Sequence, residues 1–169
     1  MFEAIIEELE NSQEVNEMIE KVDAFELEEL SNLWAEVIKN QPFLHRFLFS
    51  YESDMSLEML IEFQRIVAMI YLHFKDFPKF KTLKIWDNDY EMEEKRNADF
   101  IHYFSGEDDA GQVNTALSDL MKLKSKGLYF GIVTKFESYP LLSTIDPFDK
   151  TIMLLEIKSL IECFERRLM

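Results

Sequence analysis

The sequence predicts an all-α fold: one domain over residues 1–169, built as a bundle of six to eight helices. Three observations carry this. Apolar residues recur at every third or fourth position along nearly the whole chain. Only four Gly and four Pro fall in 169 residues, too few turns for a many-stranded sheet. Hydrophobic residues make up 47% of the chain and charged residues 30%, the balance of a globular domain with a core of its own. A domain near this size buries roughly 70% of its unfolded surface, so neither disulfide nor metal is needed to hold it.

Taken in order, Phe2, Ile5, Ile6 and Leu9 form one short stripe. Val15, Met18, Ile19 and Val22 form a second, behind a capping-box-like start at Asn11 with Glu14 three residues on. Leu30, Leu33, Trp34 and Val37 continue the pattern until Asn40-Gln41-Pro42 breaks it. Pro42 suits the first turn of a new helix lined by Leu44, Phe47, Leu48 and Tyr51. Ser53 to Ser56 offer caps for residues 56–74, where Met59, Phe63, Ile66, Val67, Ile70 and Phe74 are spaced by three and four. From Ile66 this helix loses its polar face, which predicts a central position surrounded by other helices.

DNDYEMEEKRNADFIHYFSG starts on acids and ends near Gly106, matching the helix dipole and the usual C-terminal stop. Ala110, Val113, Leu117, Leu120 and Met121 line a following helix expected to stop at Gly127. LYFGIVTKF, residues 128–136, fits helix and strand equally by composition. Its strand partner would be KTLKIW, so one short two-stranded β pair stays open as an addition to the bundle. Tyr139 to Pro147 reads as a loop. The last helix runs from about Phe148 to Leu168, with Met153, Ile157, Leu160, Ile161, Phe164 and Leu168 inward and Arg166 and Arg167 in its final turn.

The net charge of −15 is unevenly spread. Residues 1–72 hold 16 acids and 4 bases, residues 73–86 hold 1 acid and 4 bases, and residues 87–169 hold 16 acids and 10 bases. A field of this sign repels DNA and anionic membrane and attracts basic partners. The first residues carry acids where a signal peptide needs Lys or Arg, and the longest apolar run, Ile66 to Leu72, is too short to span a bilayer. Cys163 is the only cysteine and forms no internal disulfide, which fits a reducing compartment. A cytoplasmic protein is expected. Its partner would be a protein with a basic surface, with a homodimer as the second partnership the sequence allows.

Signatures of cofactor and metal chemistry are missing. DNDYEMEE has Met92 and Ala98 where a calcium loop of the EF-hand kind needs Gly and Glu. One Asp99-x-x-His102 has no second copy for a carboxylate-bridged di-metal bundle, and three scattered His with one Cys make no zinc site. No Gly-rich phosphate loop and no G-x-S-x-G elbow occur. No cofactor and no metal are expected.

The most specific string is RNADFIH, Arg96 to His102. It resembles the R-[polar]-x4-H signature of HEPN ribonucleases, which are α-helical and typically dimeric. The resemblance implies a metal-independent ribonuclease with Arg96, Asn97 and His102 as its catalytic set. His102 would serve as general base or acid on a ribose hydroxyl, Arg96 would stabilise the phosphorane charge, and Asn97 would position a phosphate. RNA is a partner only under this reading. The competing reading pairs Arg96 with Glu93 and His102 with Asp99, each about one helical turn away.

HFKDFPKFKTLKIW, residues 73–86, is the one basic stretch. Lys75, Phe77, Lys79, Phe80, Lys81 and Lys84 form a candidate interaction patch, since interleaved cations and rings can bind by charge and stacking when the rings are exposed. Spacing Phe74, Phe77 and Phe80 by three instead favours rings turned inward with lysines as the solvated side. The first function expected is thus a non-catalytic acidic cytoplasmic protein-interaction domain, and the alternative is the HEPN-like ribonuclease.

Overall fold

A computed structural model describes residues 2–104 and 109–169, with the side chains of 2–11, 102–104, 109, 110, 113–115 and 117 left out. The helices are α1 (Phe2–Asp23), α2 (Leu27–Asn40), α3 (Pro42–Phe49), α4 (Leu57–Phe74), α5 (Asp87–Phe104), α6 (Asp109–Leu120), α7 (Lys126–Ser138) and α8 (Pro147–Leu168). A 3₁₀ turn, Leu142–Thr144, joins α7 to α8. The described residues contain no strand.

Local chemistry sets most boundaries. Glu26 and Glu29 form the capping box that starts α2. Pro42 opens α3. Ser56 Oγ accepts the Met59 N–H at the start of α4, and Asp146 accepts the Phe148 N–H at the start of α8. Arg65, from the middle of α4, donates to the carbonyls of Val22 at 2.7 Å and Phe25 at 2.8 Å, satisfying the C-terminal end of α1. Glu62 likewise accepts the Leu141 and Leu142 N–H groups and holds the 3₁₀ turn to α4.

The central helix is α4, as expected. Phe63, every residue from Ile66 to Tyr71, and Phe74 are buried, and α1, α2, α3, α7 and α8 all pack on it. Fully burying side chains of this size stabilises by about 1.5–3 kcal/mol each. All six residues expected to point inward from α8 are buried too.

Three expectations need correction. Residues 128–136 are helix. Leu128, Ile132 and Phe136 repeat at intervals of four and all are buried, a helical period that outweighs the β-branched composition. KTLKIW has no strand partner because a side chain takes that place. The fully buried Gln41 donates from Nε2 to Leu83 O at 2.6 Å and accepts the Ile85 N–H on Oε1 at 3.1 Å. Second, α1 continues through Asn11 without a new start, since no Gly or Pro interrupts it there. Third, α6 ends at Leu120 and Gly127 lies in the first turn of α7. Gly106, the stop expected for α5, lies outside the described residues.

Candidate functional site

The acids of the N-terminal half face solvent. Between residues 12 and 58 the exposed acids are Glu14, Glu17, Glu20, Glu26, Glu28, Glu29, Glu36, Glu52, Asp54 and Glu58, while the exposed bases are Lys21, Lys39 and Arg46. Arg46 is already bound to Asp87 at 3.1 Å. Glu20 shares Lys135 with Asp23, and Glu36 accepts the Tyr71 hydroxyl at 2.7 Å. Glu14, Glu28, Glu52, Asp54 and Glu58 have no ion-pair partner among the described residues.

The acids of α5, α6 and α8 are spent internally. Antiparallel packing of α5 on α8 places Arg166 Nε 2.6 Å from Glu93 Oε1 and Arg96 2.7 Å from Glu162. Arg96 also reaches Glu93 at 3.2 Å, the pairing expected one turn away. Partial burial opposes its charge, but Glu162, Glu93 and Asp119 outweigh that and hold the Arg96 guanidinium above its ordinary range. Lys158 is buried. Its ammonium contacts Glu162 at 2.6 Å, Asp119 at 2.8 Å and Asn97 Oδ1 at 2.8 Å. Arg167 approaches Asp89 at 3.8 Å. Four carboxylates therefore meet four cations, with little net charge left along this seam.

Asn97 is the polar hub of that seam. It is only 2% exposed, and its amide donates to Ser159 Oγ at 2.8 Å and Glu162 Oε2 at 2.7 Å while accepting from Lys158. Its hydrogen-bonding atoms are all engaged. Arg96 and Asn97 thus converge on α8 rather than on an open cleft. The side chain of His102 lies outside the described residues. The network on α8 escaped the sequence reading, although Lys158, Ser159 and Glu162 interrupting an inward apolar pattern were its visible trace.

In the lysine-rich segment the rings and the cations separate. Phe80 is 2% exposed and lies between Tyr71 and Phe164, with ring centroids at 5.3 and 6.0 Å. Phe77 is half-buried against Phe74. Lys79, Lys81 and Lys84 are exposed and Lys75 is half-buried. The arrangement is a connection that pins its phenylalanines inside. Trp86 is the one ring of this stretch that is largely exposed.

The remaining reactive side chains serve packing. Cys163 is buried, which pushes its thiol up to about 12 and keeps it protonated. His45 Nδ1 accepts the Trp34 indole N–H at 3.1 Å, and His73 Nε2 lies 3.2 Å from Ser125 Oγ. Among the described residues no group of His, Cys, Asp or Glu is placed to hold a metal ion, and no helix is long and apolar enough to cross a membrane. The chain matches no protein-family model and has no match among curated proteins or solved structures.

Proposed function

We propose that this chain is a non-catalytic, acidic protein-interaction domain that binds a basic protein partner. One observation carries the reading: residues 12–58 expose ten acids against three bases, and five of those acids lack a partner. Charges left unpaired at a surface create a field that steers and orients an oppositely charged protein. A second copy is the weaker candidate, because two chains of net charge −15 repel. A cytoplasmic setting goes with this reading, since the single cysteine is free and buried.

The ribonuclease alternative lacks comparable support. Arg96 is neutralised by two glutamates and Asn97 has no atom free for a phosphate. Incubation of the pure protein with single-stranded RNA is expected to leave the RNA intact. Cleavage abolished by His102→Ala in a folded variant would replace the present reading.

The direct experiment is titration with a labelled lysine-rich peptide at about 50 and 300 mM salt. Binding is expected at the lower concentration and is expected to weaken at least about tenfold at the higher one. Combining Glu14→Lys, Glu28→Lys and Glu52→Lys should weaken it more than the same reversal at the exposed α5 acids Glu91, Glu94 and Asp99. Equal losses from both sets would remove the assignment to the N-terminal half.

A further inference from the structure

An apolar groove of about 320 Å³ lies where the end of α3 and the 50–56 connection meet the first two turns of α4. Leu48 and Leu60, both buried, contribute its floor, and Met55 and Ile61 are half-buried beside them. Its lips are Phe49 and Leu57, which are 40% and 70% exposed. Leu57 is the first residue of α4, immediately after the Ser56 cap, where a polar side chain would serve the helix equally well. Glu52 lines the groove, and Asp54 and Glu58 are exposed at neighbouring positions in the chain. All three belong to the unpaired acids described above.

We propose that this groove docks one basic amphipathic helix of a partner protein. Apolar side chains spaced by three and four would enter between Phe49 and Leu57, and flanking Lys or Arg would meet Glu52, Asp54 and Glu58. The inference rests on the proposed function and locates it: the acidic surface supplies attraction, and the groove supplies the apolar anchor that charge alone lacks. The chain's own basic segment is a poor occupant. Its Phe80 is locked in the core, and its exposed Trp86 is followed directly by Asp87. A partner with cations and an apolar stripe on one helix fits both features of the groove.

The test uses two labelled helical peptides of about 18 residues, one of Leu and Lys with leucines on one face, the other with Gln in place of Leu at equal charge. The intact chain is expected to bind the Leu/Lys peptide at least about tenfold more tightly. Leu57→Gln combined with Phe49→Gln should abolish that advantage and leave the Gln/Lys affinity unchanged. Both positions are exposed, and circular dichroism confirms that the variant folds. Amide resonances within residues 48–64 should shift with the Leu/Lys peptide. If neither peptide binds at about 50 mM salt, the acidic-interaction reading itself fails. If both bind equally, or if the leucine advantage survives the double substitution, the acidic surface stands and the groove assignment falls. Capture of a small apolar dye in the groove without any leucine advantage would also overturn the helix as occupant.

Discussion

The two halves of the molecule use acidic side chains in opposite ways. In residues 12–58 acids face water, and five have no partner among the described residues. Along α5 and α8, Asp89, Glu93 and Glu162 are buried and tied to Arg and Lys. The difference teaches that a net charge of −15 says little until its members are placed. Buried pairs are held at short range and set how two helices register. Exposed, unpaired charges contribute little to the fold and remain available to act on another molecule.

The strongest way to break this contrast is Lys158→Met. The ammonium is buried between Asp119 and Glu162, so its loss strands two carboxylates without their cation. A cost of about 3–5 kcal/mol is expected, since removing one partner of a buried ion pair leaves an uncompensated charge. Urea unfolding followed by circular dichroism measures it, and an unchanged midpoint would show that the seam is not structural. Asn97→Ala should cost less, about 1–3 kcal/mol, because it leaves Ser159, Glu162 and Lys158 each short of one hydrogen bond.

That seam is also where the sequence was least legible. Period-four spacing located α2, α3, α4, α5 and α8 to within a few residues, because each places apolar side chains on one stripe and each start or stop has a local chemical cause. The Arg96–Glu93 pair could also be read, since both belong to one helix turn. Glu162 could not: 66 positions separate it from Arg96, and only packing of α5 on α8 brings them together. Asn97 looked like a substrate ligand for the same reason, as its partners come from α8. Gln41 shows the limit again. Nothing local says that its amide will stand in for a β-strand opposite Leu83 and Ile85. Spacing reports which side of a helix is greasy, while long-range polar pairing depends on tertiary placement.

Acidity offers a smaller perturbation that compares two titrating groups. Burial lowers the pKa of His73 below 6.5, so the folded state takes up its proton less readily than the unfolded chain. Its contribution to stability is present above pH 6.5 and is lost as the pH falls below that value. Burial raises the Glu156 carboxyl, which has the opposite sign: protonating it relieves a cost and favours the fold. Thermal unfolding between pH 7 and about 5 should therefore fall less steeply in His73→Gln and more steeply in Glu156→Gln than in the parent chain. Equal slopes in all three would show that neither side chain is buried as described.

The smallest effect on stability is expected where the proposed function is concentrated. Glu14→Gln with Glu28→Gln should change the unfolding free energy by no more than about 0.5 kcal/mol, because neither side chain has an ion-pair partner to lose. A slight stabilisation would be consistent, as removing like charges from one surface reduces repulsion. The same pair should slow association with the lysine-rich peptide, and the slowing should fade as salt is added, because long-range attraction acts mainly on the rate of encounter. Stopped-flow fluorescence measures that rate. A substantial loss of stability would mean that these acids hold the fold as those of α5 and α8 do, and an unchanged association rate would mean that they attract nothing.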